Sequence, residues 1–250
     1  MIELKHIKKY YKMGENTVKA LDDVSLKIED GEFVTIIGPS GSGKSTMMNI
    51  VGCLDIATSG HYLIDGVDVS KYSENQLAFL RNKKMGFIFQ GFNLLHNMNA
   101  YENVELPLIY QGIKKAERHK RVTNALKIVG MKERMKHKPS ELSGGQQQRV
   151  AIARALATQP MCILADEPTG NLDSKTGDEI MKILKDLNKK GTTVVIITHN
   201  DEIAKLARRV VHIKDGKIAS DIVNEAIETY ADVDLKKLPK TRTKKAKEEN

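Results

Sequence analysis

The chain contains no tryptophan and 2 cysteines, and aromatic residues make up 5% of its 250 positions. The few aromatics are not interleaved with basic residues, so a surface that stacks successive nucleobases is not expected. Cys53 and Cys162 each sit alone in an apolar context, outside any C-x-x-C pair and away from ligand-spaced histidines. That excludes a disulfide framework and a cysteine metal site, and it predicts two buried, reduced thiols in a cytosolic protein. No run of about 18 apolar residues occurs, so no segment is expected to span a bilayer. Met1-Ile2-Glu3-Leu4-Lys5 lacks the apolar centre and cleavage site of a secretory leader. No internal repeat is visible. What remains is 40% hydrophobic and 29% charged, the balance of a globular chain long enough to bury a core as one large domain or two small ones.

The net charge of +8 is unevenly placed. From Leu235 to Asn250 seven Lys or Arg face Glu248 and Glu249, so this stretch carries +5 and the rest of the chain +3. A basic tail over residues 229–250 is expected to be a solvated, disordered end. Attraction to an anionic membrane face is the next reading, and nucleic acid the third; no nucleic-acid partner is expected.

Along the chain, Ile2–Ile7 and Ala20–Ile28 alternate as strands joined by a polar loop. Tyr10 and Tyr11 open that loop; either could stack on a base held downstream. Residues 60–69 predict a hairpin turning at Asp65-Gly66. Met85–Gln90 is a short buried strand ending in a lone Gln. Over residues 91–157 the character changes, with apolar residues such as Val122, Ala125, Leu126 and Val129 at helical spacing among lysines. This predicts an inserted helical subdomain. Pro160–Glu167 and Thr192–His199 are unalternating apolar runs flanking a helix over Ser174–Leu187. Such runs, interleaved with helices, predict a mostly parallel sheet covered on both faces, an α/β fold. A final hairpin is expected at Asp215-Gly216, within an ordered domain over residues 1–228.

The stretch with the clearest chemistry is Gly38-Pro39-Ser40-Gly41-Ser42-Gly43-Lys44-Ser45-Thr46, between a β-branched run ending at Ile37 and a helix predicted over Thr46–Leu54. It fits the phosphate-binding pattern G-x-x-x-x-G-K-[ST]. Its glycines let backbone N–H groups turn inward at phosphate oxygens, and the following helix presents its positive end. Lys44 can reach the terminal phosphates and the Ser45 hydroxyl can ligate Mg²⁺. Asp166 and Glu167 sit where a buried strand stops, the place where α/β sheets bind ligands. The first acid suits a Mg²⁺ ion and the second suits an attacking water. Leu142-Ser143-Gly144-Gly145-Gln146 opens another helix as a second glycine-lined anion cradle. The helical region between the two cradles argues against a shared pocket within one chain. A dimer, each chain's second cradle closing over the other's nucleotide, resolves this.

In their order and spacing these motifs resemble the nucleotide-binding subunit of ATP-binding cassette (ABC) transporters over residues 1–220. The match includes the signature sequence Leu142–Gln146 without change. The resemblance implies a P-loop fold of ABC type, with an N-terminal antiparallel β region and the inserted helical subdomain. It makes Gly38–Thr46 Walker A and Met161–Asp166 Walker B. It makes Glu167 the general base and His199 the switch at the γ-phosphate. Gln90 becomes the residue that senses Mg²⁺ and couples to the membrane partner. Asn171-Leu172-Asp173 is then the loop that communicates between subunits, and Tyr11 the aromatic on adenine, with Tyr10 its rival. Phe89–Leu95, Glu102–Leu108 and Gly144–Val150 resemble the subgroup serving lipoprotein-releasing, macrolide-exporting and antimicrobial-peptide-resistance systems. The expectation is therefore an ATPase binding ATP and Mg²⁺, dimerising with a second copy of itself at the cytoplasmic face of the membrane. It would drive a separate permease with a large extracytoplasmic domain, for export or extraction of lipophilic or peptide substrates. The alternatives are a soluble ABC ATPase of the iron–sulfur assembly type and a nucleic-acid-linked one.

Overall fold

The computed structural model describes residues 1–224, so the expected tail over 229–250 and the boundary at 228 lie outside the described residues. Two sheets organise the chain. In the first, β1 (Ile2–Met13) and β2 (Asn16–Ile28) form an antiparallel hairpin that turns at Gly14-Glu15, where Gly14 takes φ 62°. The strand β4 (Ser59–Ile64) pairs with the other edge of β1 and turns at Asp65-Gly66 into the short β5 (Val67–Asp68). The order is β2-β1-β4-β5.

The second sheet has six strands. In addition to β3 (Phe33–Ile37) and β6 (Met85–Ile88), it contains β7 (Cys162–Asp166), β8 (Thr193–Thr198) and the hairpin β9 (Arg209–Lys214) and β10 (Lys217–Val223). The order β10-β9-β3-β8-β7-β6 is parallel throughout except for the β9–β10 hairpin. The apolar runs lie in its centre, as their lack of alternation requires. Successive residues enter different cores: Ile163, Ala165, Val194 and Ile196 join one, and Cys162, Leu164, Val195 and Ile197 the other. The second core is closed by β1 and β2 through Ile2, Leu4, Ile7 and Leu21, and by α1 (Lys44–Val51) through Met47, Met48 and Ile50. Burial pushes the Cys53 thiol up to about 11 and that of Cys162 to about 12; both are free and buried.

The first core continues into α3 (Ala100–Tyr110), α4 (Lys115–Ile128) and α5 (Gly144–Ala157). Val122, Ala125, Leu126 and Val129, spaced for one helical face, are all at most 2% exposed there. Two short 3₁₀ turns, Lys132–Arg134 and Pro139–Glu141, link α4 to α5. The helix α6 (Ser174–Lys189) covers the same sheet face, starting on an Asp173 cap whose carboxylate accepts from Thr176 N.

Three differences from the sequence expectations have local causes. The helix after the P-loop starts at Lys44 rather than Thr46 and stops at Val51, since Gly52 follows with its N–H on Met48 O. The helix α2 (Glu74–Lys84) leaves no periodic signal in the sequence, because it buries only Leu77 and carries no apolar stripe. Its stability comes from its ends: a Ser73–Gln76 capping box, Glu74 in the first turn, and Arg81, Lys83 and Lys84 in the last. The helix α7 (Asp201–Ala204) is one turn, below what periodicity can show.

Candidate active site

Strand order decides which loops meet. In the lateral sequence β3, β8, β7, β6 the register aligns Ile37 with Thr198, Ile197 with Asp166, and Ala165 with Ile88. The residues just beyond these ends therefore emerge along one edge: the P-loop after Ile37, His199 after Thr198, Glu167 after Asp166, and Gln90 after β6. This is the carboxyl edge of a parallel sheet, where ligands sit in open α/β folds.

The P-loop geometry excludes side chains from its inner turns. A Cβ on Gly38 would lie 2.1 Å from Ile213 O, and one on Gly43, at φ 106°, 2.4 Å from Ala20 O. Gly43 is the N-cap of α1, so the helix end has no side-chain acceptor and no acid in its first turn. Its leading N–H groups, those of Lys44, Ser45 and Thr46, are thus presented for an anion. The Ser42 hydroxyl is buried with no partner among the described residues. The Lys44 ammonium donates to Gly38 O (2.7 Å) and Pro39 O (2.8 Å), which folds it over the loop. Pro39, Ser40 and Gly41 form the loop's outer arc, with Ser42 N donating to Pro39 O.

Asp166 is half-buried at the strand end. Burial and the neighbouring Glu167 push its carboxyl up, and Lys44 opposes them. Glu167 adopts φ 45°, the left-handed region that L-residues enter at a cost of about 1–2 kcal/mol. Its N–H donates to Ile197 O, and the turn swings its carboxylate back over β8. There Oε2 accepts from Thr198 Oγ1 (2.9 Å), while Oε1 accepts from His199 N (2.8 Å) and His199 Nδ1 (2.6 Å). A carboxylate oxygen accepting from Nδ1 places the proton on that nitrogen and leaves Nε2 as the ring's outer atom. Gln90 Nε2 donates to Asn171 Oδ1 (3.1 Å) and Asn171 Nδ2 returns a bond to Gln90 O (3.0 Å). The Gln90 amide oxygen is then free to face the site.

A divalent cation has no cage of its own here: no group of three or more His, Cys, Asp or Glu side chains is placed to hold a metal among the described residues. The donor set that the sequence suggests, Ser45, Gln90 and Asp166, is all oxygen and small. That fits Mg²⁺, which is bound through one or two carboxylates together with substrate phosphates.

The two tyrosines separate. Tyr11 donates its hydroxyl to Asp55 Oδ2 (2.7 Å), and Thr46 of α1 lies beside that hydroxyl. The Lys9 ammonium stands 4.8 Å from its ring centroid. Tyr10 turns instead to Asp22 Oδ1. The second cradle stands apart from these residues. Ser143 caps α5 and shares a reciprocal box with Gln146, Ser143 N donating to Gln146 Oε1 (3.0 Å) and Gln146 N to Ser143 Oγ (3.4 Å). Gly144 faces Leu172 and Phe92, and Gly145 faces Thr176; none of these belongs to the P-loop.

Several contributors were invisible in sequence. Asp55 and Lys9 fix Tyr11. Gln148, fully buried on α5, donates to Pro168 O (2.6 Å) beside Glu167. Arg154 donates to the carbonyls of Phe92 and Asn93, both at positive φ, and so holds the loop after Gln90. Only the position of Arg154 one turn before the end of a strong helix hinted at such a role.

A family model described as ABC transporter matches residues 21–170. The chain is 54% identical over 218 residues to the uncharacterised ABC transporter ATP-binding protein YknY of Bacillus subtilis, covering 87% of this chain and 95% of that one. It is 51% identical over 225 residues to the macrolide export ATP-binding/permease protein MacB of Hyphomonas neptunium, covering 90% of this chain but 35% of that protein. Among solved structures, the dimeric post-hydrolysis state of the ATP-binding cassette MJ0796 bound to ADP and Pi superposes with a TM-score of 0.82. The two are 50% identical, and the match covers 89% of this chain and 98% of that one. The protein MJ0796 is from Methanocaldococcus jannaschii.

Proposed function

The chain belongs to the ABC transporter family, and on that premise we propose how its residues divide the work of an ATPase. It is an ATP-binding subunit whose hydrolysis is coupled to transport. In our reading the P-loop N–H groups and Lys44 hold the β- and γ-phosphates, and Tyr11 packs on the adenine. Ser45, Gln90 and Asp166 would hold Mg²⁺, which when bound neutralises charge on the phosphate oxygens. Glu167 takes the proton of the attacking water, and His199, tethered through Nδ1, turns Nε2 toward the γ-phosphate.

The observation that carries this reading is the lateral alignment of the P-loop, His199, Asp166–Glu167 and Gln90 on adjacent strand ends. The cradle at Ser143–Gln146 stands outside that alignment, which favours an ATP-dependent homodimer in which it reaches the partner's nucleotide. The dimeric ADP-bound relative supports that arrangement. The MacB relatives carry a permease in the same chain, so we place this subunit against a separate permease at the cytoplasmic face of the membrane. That permease would have a large extracytoplasmic domain and export lipophilic or peptide substrates. The exposed Tyr110 and the groove it shares with Phe89 and Pro107, beside the Gln90 loop, suit that contact.

Hydrolysis by the purified chain tests the catalytic assignment. Glu167→Gln keeps an acceptor for His199 but no base, so turnover should fall about 10²–10⁴-fold while ATP holds the protein as a dimer on size-exclusion chromatography. Lys44→Ala should lose both activities. Wild-type turnover in Glu167→Gln would place the base elsewhere. Recovery of a permease from detergent-solubilised membranes tests the transport partner; recovery of soluble proteins alone would refute it.

A further inference from the structure

The widest groove on the described surface lies away from the site, at the β9–β10 end of the large sheet. Its volume is about 720 Å³. Its floor and walls are Ile37, Ala204, Ala207 and Val210, and the exposed Ile222 and Val223 form its rim, 53% and 52% accessible. An edge strand that ends in two adjacent exposed β-branched residues leaves apolar surface uncovered. The described chain also ends here. Asn224 lines the same groove, and its N–H donates to Arg208 O (2.7 Å), pinning the exit point beside the link from α7 to β9.

The sequence that continues from this point is patterned for such a surface. Ile227, Tyr230, Ala231, Leu235 and Leu238 recur at intervals of three and four, while Glu225, Glu228 and Asp232 fall on the opposite side of a helical projection. The one acid within the apolar stripe, Asp234, would meet a groove whose rim carries Lys205. Ile227 is three residues from Asn224, within about 10 Å of it even when fully extended. No linker separates the stripe from the groove, so its local concentration there is that of a directly tethered ligand, in the millimolar range or above. A second copy of the chain would compete at bulk concentration. The basic run from Lys236 onward lies beyond the stripe and is not needed for the fit.

We propose that residues 225–238 of this chain dock their Ile227–Leu238 apolar stripe into the groove bounded by Ile37, Ala204, Ala207, Val210, Ile222 and Val223. The docked segment covers the exposed sheet edge and abuts α7, which begins two residues after His199. This surface is independent of the nucleotide site and stands whether or not the catalytic assignments do.

Thiol labelling of the full chain tests it, because Cys53 and Cys162 are buried and silent. In a Val223→Cys protein, docking held about ten to one slows labelling about tenfold relative to Met13→Cys, a position that is 66% exposed. Adding Ile227→Asp and Leu235→Asp should restore the fast rate, and Ile227→Leu should not. Equal, fast rates in all three backgrounds would overturn the proposal. Protection that grows with protein concentration would overturn it in favour of a second copy. Protection seen only with phosphatidylglycerol vesicles would overturn it in favour of a lipid surface.

Discussion

Gly145 offers a test of packing beneath the second cradle. A Cβ built on it would sit 2.3 Å from Thr176 Cγ2, against 3.4 Å for ordinary contact, so Gly145→Ala forces a retreat of 1.1 Å (3.4 minus 2.3). Thr176 is not free to rotate: its Oγ1 donates to Asp173 Oδ2 (2.6 Å) and its N–H to Asp173 Oδ1 (3.0 Å), forming the cap of α6. If the helices part, overpacking costs about 1–3 kcal/mol. If Thr176 turns, the charge-assisted bond to Asp173 goes, at about 1.5–3 kcal/mol when shielded and less at this exposed position. Alanine in the first turn of α5 returns at most about 1 kcal/mol of helix propensity. The net expectation is a loss of about 1–2 kcal/mol, or a few degrees in Tm for a chain of this size. Thr176→Ser removes Cγ2 and keeps the capping hydroxyl, so it should rescue Gly145→Ala. Urea unfolding of the four proteins of the cycle measures the coupling, expected at about 1–2 kcal/mol. Additivity within about 0.5 kcal/mol would refute the steric argument. ATPase rates add a second readout: a rescued fold with depressed turnover would assign Gly145 a contact with nucleotide beyond its packing.

Other outcomes follow from single contacts. Tyr11→Ala should raise the KM for ATP about tenfold or more, the worth of one base–aromatic stack, while Tyr10→Ala should leave it unchanged; the reverse order would move the adenine to the other face of β1. Arg154→Met leaves the Phe92 and Asn93 carbonyls without their donor, so it should cost about 2–3 kcal/mol and speed amide exchange over residues 91–95, whereas unchanged exchange would mean the loop holds itself. Asp68 is held down at about 2, from 3.8, by the Ser70 hydroxyl and N–H and by His61. A carboxyl depressed on folding stabilises above its unfolded pKa and loses that contribution as pH falls through the folded one. Asp68→Asn should therefore flatten the stability profile between about pH 4 and pH 2, by a small amount because the pair is exposed; an unchanged acid limb would show that the bonds do not persist in solution.

Where each strand ends was legible in the sequence, because a run such as Thr193–Thr198, buried on both faces, has no other way to pack. What each loop residue would touch was not. His199 lies 32 positions from Glu167 and Asn171 lies 81 from Gln90, and only the lateral order β3-β8-β7-β6, set by crossovers, makes them neighbours. Backbone strain was equally hidden. Glu167, Phe92 and Asn93 take positive φ without being glycine, and the bonds that compensate them, from His199, Thr198 and Arg154, are long-range. Helix α2 escaped for the converse reason: its determinants are local caps, and its packing is too slight to leave a stripe.

The two glycine-lined helix starts looked alike in sequence and differ in their satisfied bonds. At α1 the cap is Gly43, so the Lys44, Ser45 and Thr46 N–H groups have no side-chain competitor. An anion arriving there has only to draw the Lys44 ammonium from two neutral carbonyls, and a phosphate oxygen is the stronger acceptor. At α5 the Ser143 hydroxyl already accepts from Gln146 N, and the Gln146 amide oxygen closes the box on Ser143 N. That helix start is complete without a ligand, and its hydrogen bond at 3.4 Å is long enough to be given up to a charged acceptor. One end is therefore built to take an anion unaided. The other gains by doing so only when a phosphate is delivered to it already fixed in place, which is the condition that closure of two cassettes around bound nucleotide would create.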